Sequence, residues 1–239
     1  MNCSDSSNSR DVSLPVSPEQ IAEQYGPLVS SIAFRMVANP TIAQDAAQEA
    51  WLEILKSLPQ FEGRSSLSTW IYTIVSRTVL HHLKKERFYS FQEMEKGYNK
   101  KQDKFIAPTN IEKELWVKES CDKCLTGFLY CLNSEAKLAF LLRELGDLSY
   151  KEIADILGKK VTAVRQIISR SKKKLRAFME DRCFLYNPQA SCTCQVKVHA
   201  IQVDLPSAVH KIKKCIGKLR FFKAIDQVLP RKNYWEKFL

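Results

Sequence analysis

The sequence predicts an all-α protein: two small helical domains joined by a flexible linker, the second a helix-turn-helix, followed by a C-terminal extension. Three observations carry this prediction. Apolar residues recur at spacings of three and four through most of the chain. Glycine and proline are scarce, at 7 and 9 among 239 residues, too few for the tight turns of an all-β chain. The breakers that do occur, such as Asn39-Pro40, Pro59 and Gly158, fall between the periodic stretches. A hydrophobic content of 45% is enough for each domain to have its own core.

In order along the chain, residues 1–18 are Ser-rich and expected to be disordered, and they contain no apolar core of a secretory signal. Residues 19–87 form the first domain. Glu19 to Ala38 reads as a helix stopped at Asn39-Pro40, and a second helix packs through Ala47, Ala50, Trp51, Ile54, Leu55 and Leu58 until Pro59 ends it. Phe61 to Ser66, with Gly63, is a loop. Ser68 is the expected cap of a third helix, whose apolar face is Trp70, Ile71, Ile74, Val75, Thr78 and Val79. Residues 88–111 mix polar residues with Gly97 and Pro108 without period and read as the linker. Residues 112–181 are the second domain, and residues 182–239 are a basic, Cys-containing extension. No apolar run approaches the roughly 20 residues needed to span a bilayer, so no membrane span and a cytoplasmic location are expected.

Charge divides the chain. Lys and Arg outnumber Asp and Glu by 37 to 26, a net of +11, which points to a negatively charged partner, nucleic acid foremost. Yet Glu19 to Glu62 holds Glu19, Glu23, Asp45, Glu49, Glu53 and Glu62 against only Arg35 and Lys56. That face needs an electropositive partner. Within it, Asp45, Gln48, Glu49 and Leu52 fall on one exposed stripe of their helix. The next stretch reverses sign, with Arg64, Arg77, Lys84, Lys85 and Arg87 against Glu86.

The sharpest motif runs from Leu148 to Ile168: Ser149 capping a short helix, Ile153, Ala154 and Leu157 facing inward, Gly158 at the turn, and Val164 anchoring a second helix. Lys159 to Arg176 contains eight basic residues and no acid. With Val164, Ile168 and Leu175 on the packed side, Lys160, Arg165, Gln166, Ser169, Arg170, Lys172 and Lys173 are left to the surface. There Arg can pair bidentately with guanine, Gln with adenine, and Lys with phosphates. A solvated basic helix would carry such a run too; the coincidence of turn pattern and one-signed charge favours DNA.

At Ile42-Ala43-Gln44-Asp45-Ala46-Ala47-Gln48-Glu49-Ala50-Trp51 the sequence resembles bacterial sigma factors of the extracytoplasmic-function group. Phe61-Glu62-Gly63-Arg64, Leu67-Ser68-Thr69-Trp70-Ile71-Tyr72-Thr73-Ile74 and His82-Leu83-Lys84-Lys85 follow in that family's order, and the helix-turn-helix matches its second domain. The resemblance spans about Ile21 to Phe178. It implies that Asp45, Gln48, Glu49 and Leu52 contact core RNA polymerase at the β′ clamp helices, with the β flap as a further partner. It also implies that Arg64, Ser65 and Ser66 in the loop capture a base of the −10 element, that Arg77, His81, Lys84 and Lys85 lie along DNA, and that the second domain reads the −35 element. Trp70 is expected in the core. An anti-sigma factor is a further partner of such proteins. Gln44, Arg77 and Thr162 depart from the family's usual Glu, Asn and Gly, which leaves promoter sequence open.

Two other function classes compete. A stand-alone helix-turn-helix transcriptional regulator would explain the basic helix but leave the acidic stripe unused. An enzyme finds no support, since no Gly-rich phosphate loop, paired carboxylate motif or Cys/His couple stands out. No cofactor is required. The thiols of Cys183, Cys192 and Cys194 could nonetheless form a tetrahedral zinc site with Cys124 or Cys131, the alternatives being a redox-responsive set or inert buried thiols.

Overall fold

The computed structural model describes residues 17–83, 126–127, 129–183, 187 and 189–190. Among these, every regular element is helical. Helix α1 spans Pro18–Met36 and α2 Pro40–Ser57, closed by a 3-10 turn at Leu58–Gln60; α3 spans Leu67–Leu83. A second 3-10 turn at Leu129–Cys131 leads into α4 (Ser134–Glu144), α5 (Tyr150–Leu157) and α6 (Val161–Arg182). No described helix is long and apolar enough to cross a membrane.

Local chemistry fixes the helix starts. Ser17 and Gln20 form a reciprocal capping box at α1: the Gln20 N–H donates to Ser17 Oγ, and the Ser17 N–H to Gln20 Oε1. Asn39-Pro40, expected as a stop, is also a start. Asn39 Oδ1 accepts from the Thr41 and Ile42 N–H groups, and Pro40 opens α2, where its missing N–H costs nothing. The expected cap of α3 is displaced by two residues: Ser66, not Ser68, accepts the Thr69 N–H at 3.2 Å, while Ser68 shares a hydroxyl contact with it. Ser149 and Glu152 form the capping box of α5. Gly158 closes α5 at φ +63°, in the left-handed region that glycine enters without strain.

The first unit packs α1, α2 and α3 on one another, and the second packs α4, α5 and α6. In α2 the inward face is Ala43, Ala46, Ala47, Ala50 and Ile54. Leu55, expected there, is 43% exposed, because small alanines two turns earlier set the contact face and rotate it away. In α6, Val164, Ile168 and Leu175 are buried as the spacing predicts.

The two units are in direct contact, which sequence spacing alone does not indicate. Helix α1 packs on α4 and α3 on α5, so that buried residues from Ile21 to Cys183 form one continuous core. Lys137 is 4% exposed, and its ammonium donates to Met36 O at the C-terminal end of α1, where a cation is favoured. It also lies 3.5 Å from the centroid of the Tyr130 ring. A second bond crosses between the units, from the Thr69 hydroxyl to Glu152 Oε1 at 3.3 Å.

Candidate polymerase and nucleic-acid interfaces

Helix α2 presents Asp45, Gln48, Glu49 and Leu52 to solvent, as its spacing predicts, and Leu52 is 69% exposed. An exposed leucine beside carboxylates offers an apolar anchor within an acidic rim, a combination suited to a protein partner. Leu55 extends the apolar part. One member of the stripe is tied down. Buried His82, in the last turn of α3, meets Glu49 Oε2 through Nε2 at 2.7 Å. Sequence reasoning assigned a DNA role to its neighbour His81 and passed over His82.

The loop after α2 is open to solvent at Arg64, Ser65 and Ser66. Arg64 pairs with Glu62, and Ser66 is engaged in the α3 cap with Ser68 and Thr69. Trp70 is half-buried, its ring 5.2 Å from that of Phe61, so the expectation of a core tryptophan holds for only part of the ring. Arg77 and His81 are exposed one helical turn apart on α3. Lys84 and Lys85 lie outside the described residues.

On α6, Arg165, Gln166, Ser169, Arg170 and Lys173 are exposed, and Lys160 stands exposed at its N-terminus. No side chain caps that end of α6, leaving its first backbone N–H groups for solvent or an anion. Lys172 differs from the rest: it is half-buried and its ammonium lies 3.3 Å from Glu144, a buried residue of α4. The surface position given by helical spacing is therefore partly withdrawn into the fold. The Arg165 guanidinium lies 5.5 Å from the Tyr150 ring centroid, and that of Arg143 lies 4.9 Å from it. Arg143 is itself anchored by a hydrogen bond to Leu148 O. Tyr150 thus connects a fixed guanidinium to an exposed one. Glu152, which bridges to Thr69, is held below the ordinary carboxyl value by the hydroxyl and backbone N–H of Ser149, with smaller help from Thr69 and Ser66.

Of the five candidate zinc ligands, Cys124, Cys192 and Cys194 lie outside the described residues. Cys183 is buried at the C-terminal cap of α6, and Cys131 is half-buried in the 3-10 turn. Burial raises the Cys131 thiol above its ordinary value, ahead of the lowering by Lys174 and Lys137. Such a site favours the protonated thiol over the thiolate that zinc requires. Among the described residues, no group of three or more His, Cys, Asp or Glu side chains could hold a metal ion.

Comparison with known proteins places both units in known families. The Sigma-70 region 2 family matches residues 21–89, covering α1 to α3, and the Sigma-70, region 4 family matches residues 124–175, covering the helix-turn-helix. The chain is 29% identical over 161 residues to the RNA polymerase sigma factor YlaC of Bacillus subtilis (strain 168), covering 67% of this chain and 91% of that protein. It is 26% identical over 155 residues to the ECF RNA polymerase sigma-E factor of Escherichia coli (strain K12), covering 64% and 81% respectively. Among solved structures, CnrH in complex with the cytosolic domain of CnrY shares the fold, with a TM-score of 0.50 at 17% identity over 68% of this chain and 87% of that one. The two family segments fall in order on the three-helix unit and on the helix-turn-helix unit of one chain, and this protein belongs to the extracytoplasmic-function group of the sigma-70 family of RNA polymerase sigma factors.

Proposed function

We propose that the exposed stripe of α2 is the surface by which this sigma factor docks on the β′ clamp helices of core RNA polymerase. In this reading the loop at Arg64 to Ser66, with Arg77 and His81 of α3, engages the −10 element, and α6 reads the −35 element. The second unit has the β flap as a further polymerase contact. The observation that supports this most directly is the pairing, in one chain, of an outward acidic and apolar stripe with a helix whose exposed charges through Arg176 are all basic. A stand-alone regulator has no use for the first of these. The protein carries no reaction of its own in this reading; it directs the polymerase, and so acts in the cytoplasm. CnrH was solved with the cytosolic domain of CnrY, and we extend a protein partner to this chain as well, in the role of the anti-sigma factor that the sequence resemblance implies.

Geometry adds a requirement. The roughly 25 base pairs between the two promoter elements span on the order of 80 Å at about 3.4 Å per pair. A compact fold of this size is only roughly 40 Å across. Units packed as they are here cannot engage both elements, so they must separate when polymerase and promoter are bound.

In vitro transcription with core polymerase, followed by sequencing of the RNA 5′ ends, tests the reading. Start sites preceded by a shared −35 and −10 pair are expected, with no promoter binding at the same protein concentration when core is omitted. Tight specific binding to half-site repeats without polymerase would favour the stand-alone regulator.

A further inference from the structure

We infer that His82 is a positioning residue for the polymerase contact: from beneath α2 it fixes the Glu49 carboxylate in the orientation that core polymerase meets. The inference rests on the reading of Glu49 as a polymerase contact and adds a residue to it.

The two side chains differ sharply in environment. The His82 side chain is 9% exposed, that of Glu49 is 57% exposed, and Nε2 to Oε2 is 2.7 Å. A buried imidazole needs a hydrogen-bond partner, and this one finds it in a residue of the neighbouring helix that otherwise belongs to the surface. The bond occupies one oxygen of Glu49 and turns it inward. The other oxygen retains its acceptor capacity for a group arriving from outside. An exposed glutamate normally samples many rotamers and must be ordered when a partner binds; here the ordering is done in the free protein.

The identity of the residue matters. A neutral imidazole with its proton on Nε2 can donate such a hydrogen bond without cancelling the carboxylate charge. A lysine or arginine at the same place would neutralise the charge that attracts an electropositive partner. His82 also sits next to exposed His81, their rings edge-to-face at 6.0 Å, so that adjacent residues of α3 serve opposite sides of the unit.

The test compares His82→Phe, which fills the space without a donor, with His82→Gln, which keeps a side-chain N–H. Both are measured in the full chain for affinity to core polymerase, alone and combined with Glu49→Ala, with folding followed by circular dichroism and melting. His82→Phe is expected to weaken core binding about three- to tenfold, the effect of freeing one such side chain. His82→Gln should recover most of the loss, and neither should add to Glu49→Ala. If Phe does not fold, His82→Met, which repacks more freely, takes its place. Equal losses with and without Glu49, or no loss from any His82 variant while Glu49→Ala weakens binding, would overturn the positioning role. Unchanged affinity of Glu49→Ala itself would overturn the underlying polymerase contact instead.

Discussion

Helices α2 and α6 both turn a charged stripe to solvent, and each stripe has one charge held by a buried residue of a neighbouring helix. On α2 the held residue is Glu49, still more than half exposed, with the buried partner being His82. On α6 it is Lys172, only 35% exposed, against a Glu144 side chain that is 8% exposed. The same device thus has different consequences. In α2 the held charge stays at the surface and can meet a partner. In α6 the held charge is drawn toward the core and acts for the fold, leaving Arg165, Gln166, Arg170 and Lys173 exposed.

The largest test of this contrast is a reversal of the acidic stripe. Gln48→Ala combined with Glu49→Lys should weaken core binding by several kcal/mol, because a like charge then opposes the electropositive partner. The circular dichroism spectrum should stay helical, since both residues lie outside the buried Ala47, Ala50 and Ile54 face, while loss of the Glu49–His82 bond should lower the melting temperature. On α6, Arg165→Ala should cost about 1 to 3 kcal/mol at one −35 position on a promoter library, while Lys173→Ala weakens all sequences evenly. A uniform loss from both would assign Arg165 to the phosphates.

Lys172→Met should behave unlike either. Leaving Glu144 without this partner is expected to lower stability by about 1 to 2 kcal/mol, read as a drop in melting temperature. The change in promoter affinity should be smaller than for Lys173→Ala. The smallest effect concerns acid. Because its folded value is depressed, the contribution of Glu152 is present above the ordinary value of 4.5 and is lost as pH falls through the lower folded value. Hydrogen-exchange protection at the start of α5, taken relative to the intrinsic rate at each pH, should therefore fall below about pH 4.5, and Glu152→Gln should flatten that dependence.

Much of this was legible in sequence because it is local. Spacing marks α1, α2 and α3, and Ser149 and Gly158 delimit α5 where the structure has them. Asn39 was half legible: a residue before proline announces a helix end, and only the orientation of its amide reveals that it also caps the next helix. Ser68 and Ser66 are chemically equal cap candidates, and the choice between them depends on where the loop turns. The remaining misses share one cause. The partners of His82, Glu152 and Lys137 lie 33, 83 and 101 residues away, beyond any periodic pattern. Lys172 reads as surface by spacing, and its withdrawal depends on a glutamate from another helix.

The contact between the units makes the free protein a complex with itself. Segment 84–125 joins them and, drawn out, reaches at most on the order of 140 Å, so the covalent link does not oppose separation. What a tether does set is a local concentration of one unit around the other. An association too weak to persist between separate halves can therefore hold within one chain. If the units separate as the proposed function requires, Lys137 on Met36 O and Thr69 on Glu152 would act as a dial on the separated population, each shift of about 1.4 kcal/mol changing the ratio tenfold. Since apparent affinity scales with the fraction of competent molecules, substitutions at this seam would then tune promoter occupancy without touching DNA or polymerase.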